Sequence, residues 1–211
     1  SGLIAIDLDE GDELAWVRMT DGYQRLIVAT RGGMAICFDE NDARVVGRAA
    51  RGVKAITLDE GDEVVGMSIR REGGLLLTVT ETGYGRLSEL TDYRIQSRGG
   101  KGLTNYHTAE YGDVAGIKVV DPEDDVILIS SEGIIIRMQA CEIRLCRRPS
   151  KGVRVMRVEE GDRIVSLARM PHEEEQPEEE STEEAGESAV PDADEAPAGA
   201  PKAEEPSQPE T

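Results

Sequence analysis

The chain has 211 residues, 38% of them hydrophobic and only 3% aromatic, and carries a net charge of −19. No apolar run approaches the roughly 20 residues that a membrane-spanning helix needs, so a helical membrane protein is excluded, and no signal peptide opens the sequence, which begins at Ser1 and not at Met. Cys37, Cys141 and Cys146 form neither an even disulfide framework nor a CxxC or Cys/His cluster, which points to free, buried thiols in a reducing cytoplasm and not to metal ligands.

From Gly2 the chain reads GLIAIDLDEGDELAWVRM, and related phrases open fifty residues apart at Gly52 (GVKAITLDEGDEVVGMSI), Gly102 (GLTNYHTAEYGDVAGIKV) and Gly152 (GVRVMRVEEGDRIVSLAR). A fixed period of this length is the mark of a tandem array. The fourth copy is incomplete, and the array is expected to be one cut into partway through. Apolar runs inside each unit are short and punctuated by Gly, Asp and Asn, which suits strands and not helices. About four strands per unit are predicted, in the first unit at 3–8, 13–19, 25–30 and 33–38. Between the first two, Asp9-Glu10-Gly11-Asp12 recurs at 59–62 and, altered, at 159–162. This predicts a hairpin turn, because the spaced ligands and distal Glu of a calcium loop are missing. Thr30, Thr80 and Ser130 precede Gly33, Gly83 and Gly133 at the same interval, the signature of a turn that needs positive φ. Leu26, Leu76 and Val126, with Leu14, Val64, Val114 and Ile164, supply the buried columns. The fold predicted is all-β, with the units stacked radially as the blades of a propeller-like array.

Late in each unit the cations align. Arg44, Arg94 and Arg144 are followed by Arg48, Arg98 and Arg148, and then by Arg51, Lys101 and Lys151, so that R-x-x-x-R-x-x-[RK]-G occurs three times. Arg147, Lys54 and Arg154 add charge beside these columns. Blades are related by rotation, so columns repeated in every unit should trace a curved basic stripe, with the acidic turns on the opposite side. Spaced cations without interleaved aromatics suit duplex phosphates better than unstacked bases, and no helix or ribbon is evident to read a groove. On residues alone, cations at an outer turn that merely keep strand edges soluble remain the alternative.

Past residue 171 the composition changes. Residues 172–211 hold fifteen Asp and Glu against one Lys, six of the nine prolines and no aromatic residue, so −14 of the chain's −19 lies there and residues 1–171 keep −5. The predicted division is a folded array over 1–171 and a disordered acidic tail over 172–211, because the tail has too little apolar surface to offset the entropy of ordering. Its charge is expected to compete with an anionic partner for the basic stripe.

Gln96-Ser97-Arg98-Gly99-Gly100-Lys101-Gly102 resembles the glutamine-arginine-arginine-glycine-glycine-lysine-glycine box of bacterial DNA gyrase A subunits at six of seven positions, with Ser97 in place of an arginine. The phrases GVKAITLDEGDEVVGM, LLTVTETGYGRLSEL and GVRVMRVEEGDRIVSL are similar to the C-terminal domains of the same family, over residues 1 to about 171. The resemblance implies a β-pinwheel, a propeller variant whose basic rim wraps duplex DNA to support ATP-dependent negative supercoiling. It implies that Arg98 and Lys101 supply the box's charge while Gly99, Gly100 and Gly102 allow close backbone approach. It further implies a cytoplasmic, nucleoid-associated enzyme with a gyrase B partner in an A2B2 assembly, with ATP and magnesium bound outside this chain and no cofactor within it. In that family the box belongs to the first blade. Here only about seventy residues separate Gly102 from the tail, so this copy is expected to be a late-repeat variant, with the true box before residue 1. Topoisomerase IV A subunits, whose C-terminal domains are similar but more degenerate, remain the near alternative, and a protein-binding propeller the distant one. No catalytic constellation appears: His107 and His172 are isolated, and Tyr23, Tyr84, Tyr93, Tyr106 and Tyr111 are assigned packing or surface roles.

Overall fold

The runs RLIVAT, LLLTVT and DVILIS are rich in β-branched residues and leucine, and each meets a glycine-centred turn and a second strand-forming run, so each folds back as an antiparallel hairpin. The computed structural model of the chain describes residues 2–48 and 50–171. The tail expected over 172–211 lies outside them. In chain order the described residues form β1 (Arg25–Thr30), β2 (Met34–Asp39), β3 (Val64–Arg70), β4 (Leu75–Thr80), β5 (Tyr84–Glu89), β6 (Leu103–Thr104), the single helical turn α1 (Thr108–Tyr111), β7 (Val114–Val120), β8 (Asp125–Ser130), β9 (Ile135–Gln139), β10 (Val153–Arg154) and β11 (Ile164–Met170).

Hairpin turns follow the expected chemistry. The Thr30, Thr80 and Ser130 hydroxyls accept from the amides of Met34, Tyr84 and Ile134, and Gly33, Gly83 and Gly133 hold φ of +88°, +88° and +82°. At Gly83 a side chain is barred twice, because a Cβ there would also run into the carbonyl of Met156, seventy-three residues on.

The sheets are assembled from several repeats. Their strand orders are β3-β1-β2-β6, β7-β4-β5-β10 and β11-β8-β9, with neighbours antiparallel throughout. A central hairpin thus takes its inner neighbour from the next repeat and its two-residue outer neighbour from the repeat after that. Register repeats with the sequence: Leu26 pairs with Phe38, Leu76 with Ser88 and Val126 with Met138. A register shift recurs at one place, between Ala29 and Thr30 and between Val79 and Thr80.

This exchange corrects two expectations. Segments 3–8 and 13–19 are not strands, although their counterparts β6, β10, β3, β7 and β11 are. By the same pairing rule no described hairpin is left to pair with them, and a strand has no ladder without its neighbour. Leu3, Ile4, Leu14 and Val17 are accordingly exposed. The turns at 59–62 and 159–162 are also not hairpin turns. The turn at 159–162 carries the chain from β10 in the second sheet to β11 in the third, and the turn at 59–62 leads into β3 with no strand directly before it.

Alternating side chains of each sheet face opposite neighbours. Ile27, Ala29, Ala35 and Cys37 of the first sheet meet Leu76, Ile117 and Val119 of the second. Leu77, Val79 and Leu87 on its other face pack with Val126, Leu128 and Ile164. Ion pairs tie the inner strands together: Arg31 reaches Glu81 at 3.0 Å and Asp113 at 3.3 Å, Arg71 reaches Asp121 at 2.7 Å, and Arg169 pairs with Asp121 and Asp124. The cysteines are unpaired as expected, but only Cys37 is buried, and Cys141 is exposed on the 3-10 turn that ends β9.

Candidate nucleic-acid interface

The second and third basic segments lie along the outer strand of the blade before each. Gln96 donates its amide to the Cys37 carbonyl of β2, and Cys146 donates to Leu87 of β5, so 94–96 and 144–146 run parallel to those strands at the blade edge. Farther along, β6 and β10 close the same edges antiparallel. Arg44, Arg94 and Arg144 are exposed, as are Arg48, Lys54 and Arg147, and no side-chain partner is recorded for these six among the described residues.

The remaining cations of the pattern have partners. Arg98 donates from Nε to the carbonyl of Asp42 at 2.8 Å and from Nη1 to that of Lys54 at 3.0 Å. Arg148 repeats this fifty residues on, to Asp92 at 2.8 Å and Thr104 at 2.9 Å. A planar, forked donor bridges two carbonyls as a lysine cannot, so Arg98 and Arg148 each clip their loop to the blade behind it. The box-like loop is built the same way. The Gly99 amide donates to Ala55, the Thr57 amide and hydroxyl donate to Gly100 and Gly99, and Gly102, at φ +79°, lies where a Cβ would collide with the Ala35 carbonyl. Gln96 is half-buried and Ser97 exposed.

Charge is not segregated as the sequence suggested. Arg51 Nη1 stands 3.0 Å from Asp9, and Lys101 Nζ 2.6 Å from Asp59, so the acidic turns sit beside the basic column. The reason is the strand exchange: Gly32 donates its amide to Asp62, which fixes the 59–62 turn at the corner of the first sheet where Lys101 also arrives.

Lys151 breaks this pattern. Its ammonium lies 4.2 Å from the centre of the Tyr84 ring and 5.2 Å from that of Tyr111, and Arg154 Cζ lies 4.8 Å from the Tyr84 ring while its Nη2 donates to the Tyr84 hydroxyl at 2.7 Å. The hydrogen bond from Arg154, then that from Lys151, lowers the Tyr84 phenol below its ordinary pKa. Behind them Tyr106 donates to the Lys151 carbonyl and meets Tyr111 edge-on at 6.1 Å, and burial raises its own pKa to about 12.

The array's repeats coincide with a known domain. The model of the family described as "DNA gyrase C-terminal domain, beta-propeller" matches residues 1–21, 24–69, 74–121 and 124–169. The chain belongs to that family. Of the three breaks, 22–23 precedes β1, 70–73 covers the last residue of β3 and the turn after it, and 122–123 falls in the turn after β7. The chain is 57% identical to the DNA gyrase A protein of Halalkalibacterium halodurans over 185 residues, 87% of this chain and 22% of that protein. It is 43% identical to the DNA gyrase A protein of Clostridium acetobutylicum over 171 residues, 81% of this chain and 21% of that one. It therefore spans about a fifth of the length of these relatives. The solved structure of a DNA gyrase A C-terminal domain superposes with a TM-score of 0.73 at 26% identity, covering 80% of this chain and 58% of that one. The C-terminal domain of a DNA topoisomerase IV superposes with a TM-score of 0.74 at 28% identity, over 78% and 52%.

Within this family member, the sequence reading missed the tyrosines that flank Lys151. The available signal was a double departure from the repeat: in the third unit Ala109 replaces the carboxylate of Asp9 and Asp59, and Tyr111 replaces Gly11 and Gly61.

Proposed function

We propose that the chain binds and wraps duplex DNA as the C-terminal module of a gyrase A protein, bending the duplex along the outer edges of its blades to support ATP-dependent negative supercoiling. The observation that carries this reading is the placement of the exposed columns. Arg94 and Arg144 sit beside the bridges that line the outer edges of two successive blades, Arg44 holds the equivalent place in the sequence repeat, and Arg48, Lys54, Arg147, Lys151 and Arg154 are proposed to extend the same rim. Each blade offers the next cation at a rotated position, so a duplex that meets all of them has to bend, and the deformation, on the order of a few kcal/mol, is offset by the added phosphate contacts. Arg98 and Arg148 hold the loops that present these groups. The folded array is proposed to end near 171 and the acidic tail to follow it.

The assembly proposed around this module is a gyrase A2B2 heterotetramer in the cytoplasm, with ATP and magnesium handled outside this chain. No helix among the described residues is long and apolar enough to cross a membrane. Titration of a 150-base-pair duplex at several salt concentrations tests the reading. If all eight cations meet phosphates, log affinity falls against log salt with a slope of about −7, and circles closed on the protein by ligase carry trapped writhe. Weak binding with a flat salt response leaves the basic columns as solubility features of a protein-binding propeller.

A further inference from the structure

We infer that Lys151, Arg154 and Tyr84, backed by Tyr111, form the rim's principal phosphate anchor, and that the equivalent cations Arg51 and Lys101 contribute little. The inference rests on the DNA-binding reading and orders the residues within it.

The argument starts from a comparison of equivalent places. Arg51 and Lys101 each meet a carboxylate forty-two residues earlier, Asp9 at 3.0 Å and Asp59 at 2.6 Å. Such exposed pairs add little stability, but each cancels the local field that would attract a phosphate. The residue forty-two before Lys151 is Ala109. Glu110, beside it, faces Tyr111 and raises that phenol's pKa, and no ion pair to Lys151 is recorded among the described residues. The turn that would carry the acid has become α1, and the glycine of the turn has become Tyr111.

An aromatic face attracts a cation through its quadrupole and leaves the net charge in place. Lys151, 4.2 Å from the Tyr84 ring centre and 5.2 Å from that of Tyr111, is therefore held in one position without being neutralised. Arg154 is fixed on the same ring at 4.8 Å and by its bond to the Tyr84 hydroxyl. That hydroxyl accepts from Arg154, so its own hydrogen is free to donate to a phosphate oxygen. The Lys151 carbonyl is fixed in turn by Tyr106, whose counterparts Ile56 and Met156 have no such donor. Two uncompensated cations and a hydroxyl donor, held in place before the ligand arrives, make a phosphodiester site that loses little side-chain freedom on binding. Met34 and Ile134 hold the place of Tyr84 in the neighbouring repeats and supply neither ring nor hydroxyl.

The test compares variants of the 211-residue chain by duplex titration across a salt series, with a thermal melt as the control for folding. Lys151→Ala with Arg154→Ala is expected to weaken binding about tenfold at 0.1 M salt and to make the salt slope shallower by about 2. Arg51→Ala with Lys101→Ala, which removes the same formal charge, is expected to change affinity less than about threefold. Asp59→Ala, which frees Lys101, is expected to tighten binding and steepen the slope by about 1. Equal losses in the two double variants, or no gain from Asp59→Ala, overturn the anchor while leaving DNA binding intact. A parent chain with no salt-dependent binding removes the functional reading itself, and the anchor with it.

Discussion

Arg86 shows how one repeat departs from its neighbours without changing the fold. Its counterparts are Ile36 and Ile136, and it is fully buried between the first and second sheets. Nη2 donates to the Asn105 carbonyl at 2.6 Å and to its side-chain oxygen at 3.0 Å, Tyr93 donates to the same oxygen, and Asn105 donates to Thr78. Nε and Nη1 have no protein partner. Burial lowers the guanidinium's pKa, and the nearby Tyr93 and Tyr106 hydroxyls only partly offset it. Asparagine, tyrosine and arginine here replace Ala55, Ala43 and Ile36 fifty residues earlier, and Val155, Ile143 and Ile136 fifty residues later. Asn105→Ala leaves two buried groups short of partners and is expected to cost about 2–3 kcal/mol, a fall in melting temperature of about 5–10 °C. Exchanging all three for the residues found fifty positions on, Arg86→Ile with Tyr93→Ile and Asn105→Val, removes the polar group and its partners together and is expected to melt above Asn105→Ala. A triple variant that melts lower assigns the network a net stabilising role.

At the scale of elements, the clip made by Arg148 separates structure from binding. Arg148→Lys keeps the charge but cannot bridge the carbonyls of Asp92 and Thr104. It is expected to cost about 1–2 kcal/mol in a thermal melt, whereas Arg144→Lys, at an exposed site, should be close to neutral. The inner ends of the blades depend instead on Arg71, Asp121, Asp124 and Arg169. Burial raises the Asp124 carboxyl's pKa, but the bonds from Arg169 and the Asp121 amide outweigh it, so the group lies below its ordinary value. A depressed carboxylate stabilises the fold above its unfolded pKa and loses that contribution as pH falls through the folded one. Arg169→Met should therefore cost about 1–3 kcal/mol near pH 7, and the gap from the parent chain should narrow below about pH 4. A gap independent of pH would show that Arg169 acts by packing. Much of this was legible beforehand. Hairpins β1–β2, β4–β5 and β8–β9 follow from apolar runs and from the hydroxyl and glycine columns, because those signals are local. The exchange of strands between repeats was not legible, since a fifty-residue period is the same whether a strand pairs within its own unit or with the next. That one ambiguity displaced the acidic turns to the wrong side and hid both the Asp59–Lys101 pair and the role of Arg98.

Across the whole molecule, the repeat works as a lattice with three kinds of site: columns that fill the interfaces between sheets, columns that clip loops, and columns left facing solvent. Stability in such an array comes from neighbouring units, so a change at one interface is felt mainly by the two blades that share it. Electrostatics has a longer reach. Residues 1–171 carry −5 and residues 172–211 carry −14, so the proposed DNA rim would operate inside a protein whose net charge repels DNA. On the proposed reading the rim would attract a duplex through those cations that no carboxylate pairs, and salt would shorten the range of the repulsion, to about 8 Å at 0.15 M. Removing residues 173–211 is therefore expected to tighten duplex binding severalfold at low ionic strength, with the advantage fading as salt rises through that range. Two lines of log affinity against log salt, one for each chain, should diverge toward low salt and converge toward high salt. Lines that coincide at low salt would mean that the acidic segment stays farther than a screening length from the bound duplex. Lines parallel at every salt concentration would mean that it acts through a contact and not through its field.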